Sequence, residues 1–305
     1  MSTGGTAHYG ARGDAGNAAM TARVSFTFDL EDHRSGLDPA RRFVDATYRV
    51  LDVLERVAVN GTFFIVGNVA SANPALVRDI AARGHEIGFH GFDHTPLYLD
   101  GRSNFARQTA DGKRLLEDLT GCALVGYRAP IFSLNASTTW CTEELASLGF
   151  AYSSSVVPKR YPRYGFEGAP REPFRWPSGV LELPVPLARI AGVTLPFLGG
   201  VYLRYLPLPL VLRRAATADH SGLWTYLHPY DCDPGEGWAR VERTNLVEAL
   251  ILACNRRGTL SKLERLLKAC AAPCLRDRVA AGEFDRVTRL DTAAIDRRVP
   301  TAASR

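Results

Sequence analysis

Four short segments carry residue types able to do acid–base or metal chemistry. In TFDLED an apolar run ends in Asp29, Glu31 and Asp32, followed by His33. Active sites of parallel α/β folds lie at the carboxyl ends of their strands, and three acids directly after VSFTF exceed what a solvated strand end needs. A capping or turn cluster is the alternative. In GHEIGFHGFDH, His90 and His94 are four residues apart, so both imidazoles fall on one side whether the local period is 3.6 or 2. Both can then reach one ion at the Zn–N distance of about 2.0–2.1 Å; an ordinary pair of surface histidines is the bland reading. His85 precedes the strand and reads as structural. In GYRAP (126–130), Arg128 offers a rigid fork suited to a carboxylate or to a structural bond. In TYLHPYD (225–231), His228 ends an apolar run and can act as a general acid or satisfy a backbone carbonyl.

One carboxylate and two histidines with an open position make a catalytic zinc-type set. A remaining carboxylate and histidine then supply base and acid. For this to happen the four segments must meet, and the elements around them predict that they do. Apolar runs of strand length alternate with helical patterns: strands over 24–30, 61–67, 86–90, 124–130 and 151–157, and helices over 43–57, 74–83, 105–119 and 138–148. Such alternation implies right-handed crossovers and a parallel sheet or barrel. After Pro158 the pattern changes to a proline-rich stretch, 158–200, with a short strand around 180–185, and reads as an irregular insertion. A helix (210–219), a strand (222–229) and a final helix (245–256) follow. The expected organisation is a disordered tail over 1–22, one α/β domain over 23–268 and a C-terminal extension over 269–305.

The 305 residues are 46% apolar and 23% charged, the balance of a soluble globular protein rather than a disordered or collagen-like one. The formal net charge of +5 comes from scattered basic residues, so no nucleic-acid partner is expected. Six cysteines without a CxxC pair, and an N-terminus without an apolar run, suggest reduced thiols in the cytoplasm. The window VTLPFLGGVYLRYLPLPLVL (193–212) has the length of a membrane span. Its three prolines, paired glycines and Arg204 argue instead for core or substrate-wall packing, with a weak membrane-surface contact as the alternative.

These motifs, in this order, resemble the polysaccharide deacetylases of carbohydrate esterase family 4, the nodulation-type deacetylase domain, over about residues 23–265. Most similar is the branch associated with bacterial exopolysaccharide loci, through FDLEDH, NGTFFIVGNVA, GHEIGFHGFDH, GYRAPIFS, YSSSVVPKRYPRYGFEGAPR, ELPV, GGVYLRYLP, LHPYD and RGTLSKLERLL. The resemblance implies a distorted (β/α)7 barrel and metal-dependent removal of acetyl groups from an acetylated sugar or glycan. It implies Asp29 as base, Arg128 as the residue orienting it, His228 as acid, and His90 and His94 as ligands of a divalent metal, zinc first, with Co, Mn, Ni or Fe as others. Tyr127 and Pro130 are expected at the substrate. The acidic ligand is Glu31 by motif spacing or Asp32 by residue type, and both stand. Two departures are visible: the branch usually has an aspartate where this chain has Ser153, and a Trp-Glu pair where it has Tyr230 and Asp231, read as a change of pocket shape. A non-catalytic carbohydrate-binding or membrane-associated scaffold and a deacylase of a small amidated metabolite are the other classes.

Overall fold

The apolar run VSFTFDL forms one extended segment broken at Phe26 into β1 (Val24–Ser25) and β2 (Thr27–Leu30), and all four positions of β2 are buried. Burial on both faces is the signature of a parallel strand covered by helices on one side and barrel interior on the other. The computed structural model describes residues 23–33, 41–161, 164–218, 222–236 and 246–291, with side chains in the last segment from 249 onward. The tail expected over 1–22 lies outside the described residues.

Along the chain follow α1 (Arg42–Arg56), β3 (Thr62–Ile65), α2 (Gly67–Ala72), α3 (Pro74–Ala82), β4 (Glu86–Phe89), α4 (Leu97–Asp100), α5 (Arg102–Thr120) and β5 (Gly126–Tyr127). A 3-10 turn at Pro130–Phe132 leads to α6 (Cys141–Ser147), β6 (Tyr152–Ser153), β7 (Phe174–Arg175) and β8 (Leu181–Glu182). The hairpin of β9 (Ala188–Ile190) and β10 (Val193–Leu195) precedes α7 (Gly200–Tyr205), α8 (Leu208–Ala216) and β11 (Leu223–Trp224). After a second 3-10 turn, Pro229–Cys232, come α9 (Leu246–Ala253), α10 (Thr259–Cys270), β12 (Ala271–Ala272), α11 (Leu275–Ala280) and β13 (Thr288–Arg289).

One sheet runs β13-β7-β8-β6-β5-β4-β3-β2 and a second runs β11-β1-β12. The pairs are parallel except β7 with β8 and β9 with β10. Because β1 and β2 are one bent segment, and a bridge joins Phe28 to Leu227, the two sheets form one curved wall whose strand ends converge. The expected α/β barrel is therefore the observed architecture.

Helices cover this wall through periodic apolar faces. In α1 the buried set Phe43, Ala46, Thr47, Val50, Leu51, Val53 and Leu54 recurs at helical spacing. In α5, Gly112 lies where a Cβ would come 2.3 Å from the Phe89 ring. A glycine inside a helix costs about 1 kcal/mol in propensity, and here it lets helix and strand approach. Gly121 closes that helix in the left-handed conformation, φ 68°.

Three sequence expectations are corrected. The strand expected over 124–130 pairs only at Gly126–Tyr127, because Pro130 and a left-handed Ile131 (φ 50°) end it. The stretch 158–200 is not wholly an insertion, since Leu181–Glu182 pairs with Tyr152–Ser153 inside the main sheet. The boundary at 268 falls inside α10, and Ala271–Ala272 pairs with Val24–Ser25. An Ala-Ala strand carries no apolar pattern to reveal it. The 193–212 window becomes β10 and two short helices, with Phe197, Leu198, Leu203, Leu208 and Val211 in the core. Among the described residues no helix is long and apolar enough to cross a membrane.

Candidate active site

Asp29 leaves the end of β2 almost sealed from water, 2% exposed. Its Oδ1 accepts from Arg128 Nη1 at 2.5 Å. Arg128 is itself fully buried, between the Phe64 ring (4.0 Å) and the Trp224 ring (4.4 Å). A buried guanidinium needs its donors satisfied. Here Nη1 also donates to Thr27 Oγ1 (2.8 Å), Nη2 to Ser154 Oγ (2.8 Å) and Nε to the Ser154 carbonyl (3.2 Å). Arg128 thus locks the carboxylate orientation, leaving Asp29 Oδ2 toward two rings, His90 Nε2 at 3.9 Å and His228 Nε2 at 3.7 Å.

His90 follows β4. Its Nδ1 donates to the Arg128 carbonyl at 2.9 Å, which leaves the Nε2 lone pair for the site. Burial pushes its pKa down to about 4, so the ring is neutral, the form that ligates. His94 is brought back by a left-handed turn, φ 62°, and its Nε2 lies 2.7 Å from Glu31 Oε2. Burial works against the charged form of Glu31, but His94, His228 and His90 outweigh it and hold the carboxyl well below its usual range. Burial lowers and Glu31 raises the His94 pKa, and the net shift is upward. The ligand atoms of Glu31, His90 and His94 lie within 4.8 Å of one another, a group able to hold a metal ion. Asp32 is outside that group. It lines a small separate pocket with His33, Arg42, Tyr230 and Asp233, so of the two expected acidic ligands it is Glu31 that the fold gathers with the histidines.

On the opposite side, His228 ends the strand after β11. Its Nδ1 and backbone N–H both face Asp231 Oδ2 at 3.0 Å, a reciprocal cap on the Pro229–Cys232 turn. Burial alone would lower the His228 pKa. The bond to Asp231 and the charges of Glu31, Asp231 and Asp29 push it up to about 9. Tyr230 stacks on the His228 ring at 4.7 Å and 9°. The group set against His228 is therefore Asp231, so the departure at Tyr230 and Asp231 bears on the histidine itself and not only on pocket shape. The spacing His-Pro-x-Asp, a proline opening a turn with an acid at its third position, is the signal that was there to find. Ser153 Oγ instead donates to Ser155 Oγ at 2.8 Å.

The two residues expected at the substrate are both buried. Tyr127 is 1% exposed and packs among Phe89, Phe105 and Phe150. Successive residues of a strand face opposite sides, so an inward Arg128 forces Tyr127 outward into the helix layer. Pro130 is packed at Gly91, where a Cβ would come 2.9 Å from Pro130 Cγ. It supports the loop between the two histidines. Backbone strain gathers in the same place: His94, Ile131 and Phe132 have φ of 62°, 50° and 53°. For non-glycine residues this costs of order 1–3 kcal/mol each.

The family profile for polysaccharide deacetylases matches residues 17–153. Residues 17–153 thus carry the polysaccharide deacetylase pattern of carbohydrate esterase family 4. A second profile, a domain of unknown function (DUF3473), matches residues 154–277. The division falls directly after β6, inside one sheet. Curated relatives include a chitooligosaccharide deacetylase of Sinorhizobium fredii, 35% identical over 40% of this chain and 56% of the relative. Another is the peptidoglycan-N-acetylglucosamine deacetylase PgdA of Listeria monocytogenes, 30% identical over 39% of this chain and 23% of the relative. The chain thus spans about half of the first and a quarter of the second. A solved structure from Mycobacterium smegmatis, assigned to the polysaccharide deacetylases, superposes with a TM-score of 0.59 at 22% identity, covering 90% of this chain and 94% of that one. The fold of the chain, across both matched stretches, is the distorted (β/α)7 barrel.

Proposed function

We propose that the protein hydrolyses an N-acetyl group on an amino-sugar-containing glycan or glycan precursor, with a divalent cation held by Glu31, His90 and His94. The observation that carries this reading is the position of Asp29 Oδ2, between His90 Nε2 of the ligand group and His228 Nε2. The donor set fits the ion: a carboxylate below its usual pKa range, a neutral imidazole and a second ring paired to that carboxylate. When bound, zinc would supply Lewis acidity toward water and the acetyl carbonyl. Asp29, oriented by Arg128, accepts the proton of the attacking water. His228, with Nδ1 on Asp231, presents Nε2 to the leaving nitrogen and donates the proton that an amine needs to depart. Of the backbone N–H groups from Arg128 to Ile131, that of Arg128 donates to the Phe89 carbonyl, that of Ala129 to Ser155 Oγ, and Pro130 has none, which leaves Ile131 for the oxyanion. The relatives' printed activities, on chitooligosaccharides and peptidoglycan N-acetylglucosamine, support the sugar and the acetyl group. A cytoplasmic site of action, suggested by six free thiols, belongs to the same proposal and is checked by cell fractionation.

Metal analysis together with acetate release from N-acetylglucosamine monomers, oligomers and lipid- or nucleotide-linked sugars tests the reading. Release from one of these, lost with chelator and restored by zinc, is expected. A chain that binds metal but releases acetate from none of them overturns it.

A further inference from the structure

Asp231 has two oxygens, one hydrogen-bonded and the other, Oδ1, without a hydrogen bond and facing only a buried charge. Oδ2 faces His228, and Oδ1 lies 3.3 Å from Arg204 Nε, with both side chains fully sealed from water. Removing two charges from water carries a large desolvation penalty that only well-matched geometry offsets, so a buried pair beside a candidate acid calls for an explanation. The geometry also shows how Arg204 is held. It lies on α7, and its Nη1 donates to the carbonyls of Leu252 (2.9 Å) and Cys254 (3.0 Å) at the end of α9. Lys262 Nζ donates to the carbonyls of Leu203, Arg204 and Leu206, pinning the same turn from α10. At the start of α7, Gly200 brings backbone against the acid, for a Cβ there would fall 2.0 Å from Asp231 Oδ2. α9 and α10 thus hold Arg204 and its turn, and α7 presents Arg204 and Gly200 to the carboxylate that faces His228.

We propose that Arg204 is a positioning residue for proton donation: by holding Asp231 Oδ1 it fixes Oδ2 on His228 Nδ1, so that His228 Nε2 points into the site with its proton. Arg204 touches neither substrate nor metal ligand and acts through Asp231. Part of its test rests on the deacetylase reading above and part does not.

The test is a double-mutant cycle on the full chain, with Arg204→Met, Asp231→Asn and the double variant, beside Arg204→Lys. Turnover is measured on an N-acetylated glucosamine oligomer and on an aryl acetate whose phenol leaves without help. Imidazole ¹⁵N spectra are recorded with zinc and with metal removed. Arg204→Met should slow the amide about 10-fold or more, the low end of an acid's contribution, and the aryl ester no more than about 2-fold. Because Arg204 acts through Asp231, the double variant should be no slower than Asp231→Asn alone. The His228 Nδ1–H signal should shift in Arg204→Met and return toward wild type in Arg204→Lys. Equal losses on both substrates, additive losses in the cycle, or an unmoved Nδ1–H signal would each overturn the proposal. If Arg204→Met does not fold, Arg204→Gln, which also removes the charge, carries the same comparison; if neither folds, Arg204 is scaffold and the proposal falls. A wild type inactive on both substrates would sink the deacetylase reading alone, and the spectra would still decide the role of Arg204.

Discussion

The two walls of the site are built differently. The proposed metal and base wall, Asp29, Glu31, His90, His94 and Arg128, comes from the ends of parallel strands β2, β4 and β5, with β3 paired between β2 and β4, and their register is set by continuous hydrogen bonding. The acid wall, His228, Asp231 and Arg204, comes from a 3-10 turn and a six-residue helix held by side chains. The first wall lies within the stretch matched by the polysaccharide deacetylase profile and most of its residues are short motifs. The second lies within the stretch matched by the domain of unknown function. Strand ends position chemistry through the backbone, so their residues show up as local patterns. A turn positions chemistry through long-range side-chain bonds, which leave little local trace.

The comparison breaks most sharply on the metal wall. His90→Ala and His94→Ala should each lose metal and essentially all activity while keeping native circular dichroism, since the core lies elsewhere. Metal analysis of purified variants checks this, and full occupancy in either would remove that histidine from the ligand set. Asp29→Asn should retain metal and slow acetate release by about 10²- to 10⁴-fold, the usual worth of a general base. Loss of metal there would make Asp29 a ligand instead.

On the acid wall the expected effect is smaller and substrate-dependent. Asp231→Asn should cost about 10²-fold on an N-acetyl sugar and much less on an activated aryl ester, because only the amine needs a proton to leave. Equal losses would make Asp231 a fold residue only. The same pair predicts a pH signature in the metal-free protein. The folded His228 pKa is raised to about 9, above the usual unfolded value of about 6.5. Its contribution to stability is therefore fully present below about 6.5 and lost as pH rises through about 9. Thermal melts from pH 6 to 10 should show that decline in wild type and a flatter profile in Asp231→Asn.

The smallest effect is expected at Tyr127→Phe. Its hydroxyl is buried without a hydrogen-bond partner, so removing it should change stability by no more than about 1 kcal/mol and leave kcat and KM unchanged. A raised KM would return Tyr127 to the substrate.

Much of the metal wall was legible because strand ends and an HxxxH spacing carry their own geometry. The choice between Glu31 and Asp32 was not, since it depends on which way the chain turns after Leu30. Tyr127 was legible in principle, because an inward Arg128 puts its neighbour on the other face. Arg204 stood in plain view within an apolar window, where its charge argued only against a membrane span. Its partner, Asp231, is 27 residues away in sequence. The strand Ala271–Ala272 was invisible for a different reason: pairing with β1 places it, and its own side chains say nothing.

The central claim is that Glu31, His90 and His94 hold one divalent cation beside Asp29. Zinc stoichiometry and affinity measured side by side in wild type, Glu31→Gln and Asp32→Asn test it most directly. One zinc per chain in wild type and Asp32→Asn, with affinity reduced about 10-fold or more in Glu31→Gln, is the predicted result; zinc retained by Glu31→Gln and lost by Asp32→Asn would contradict it.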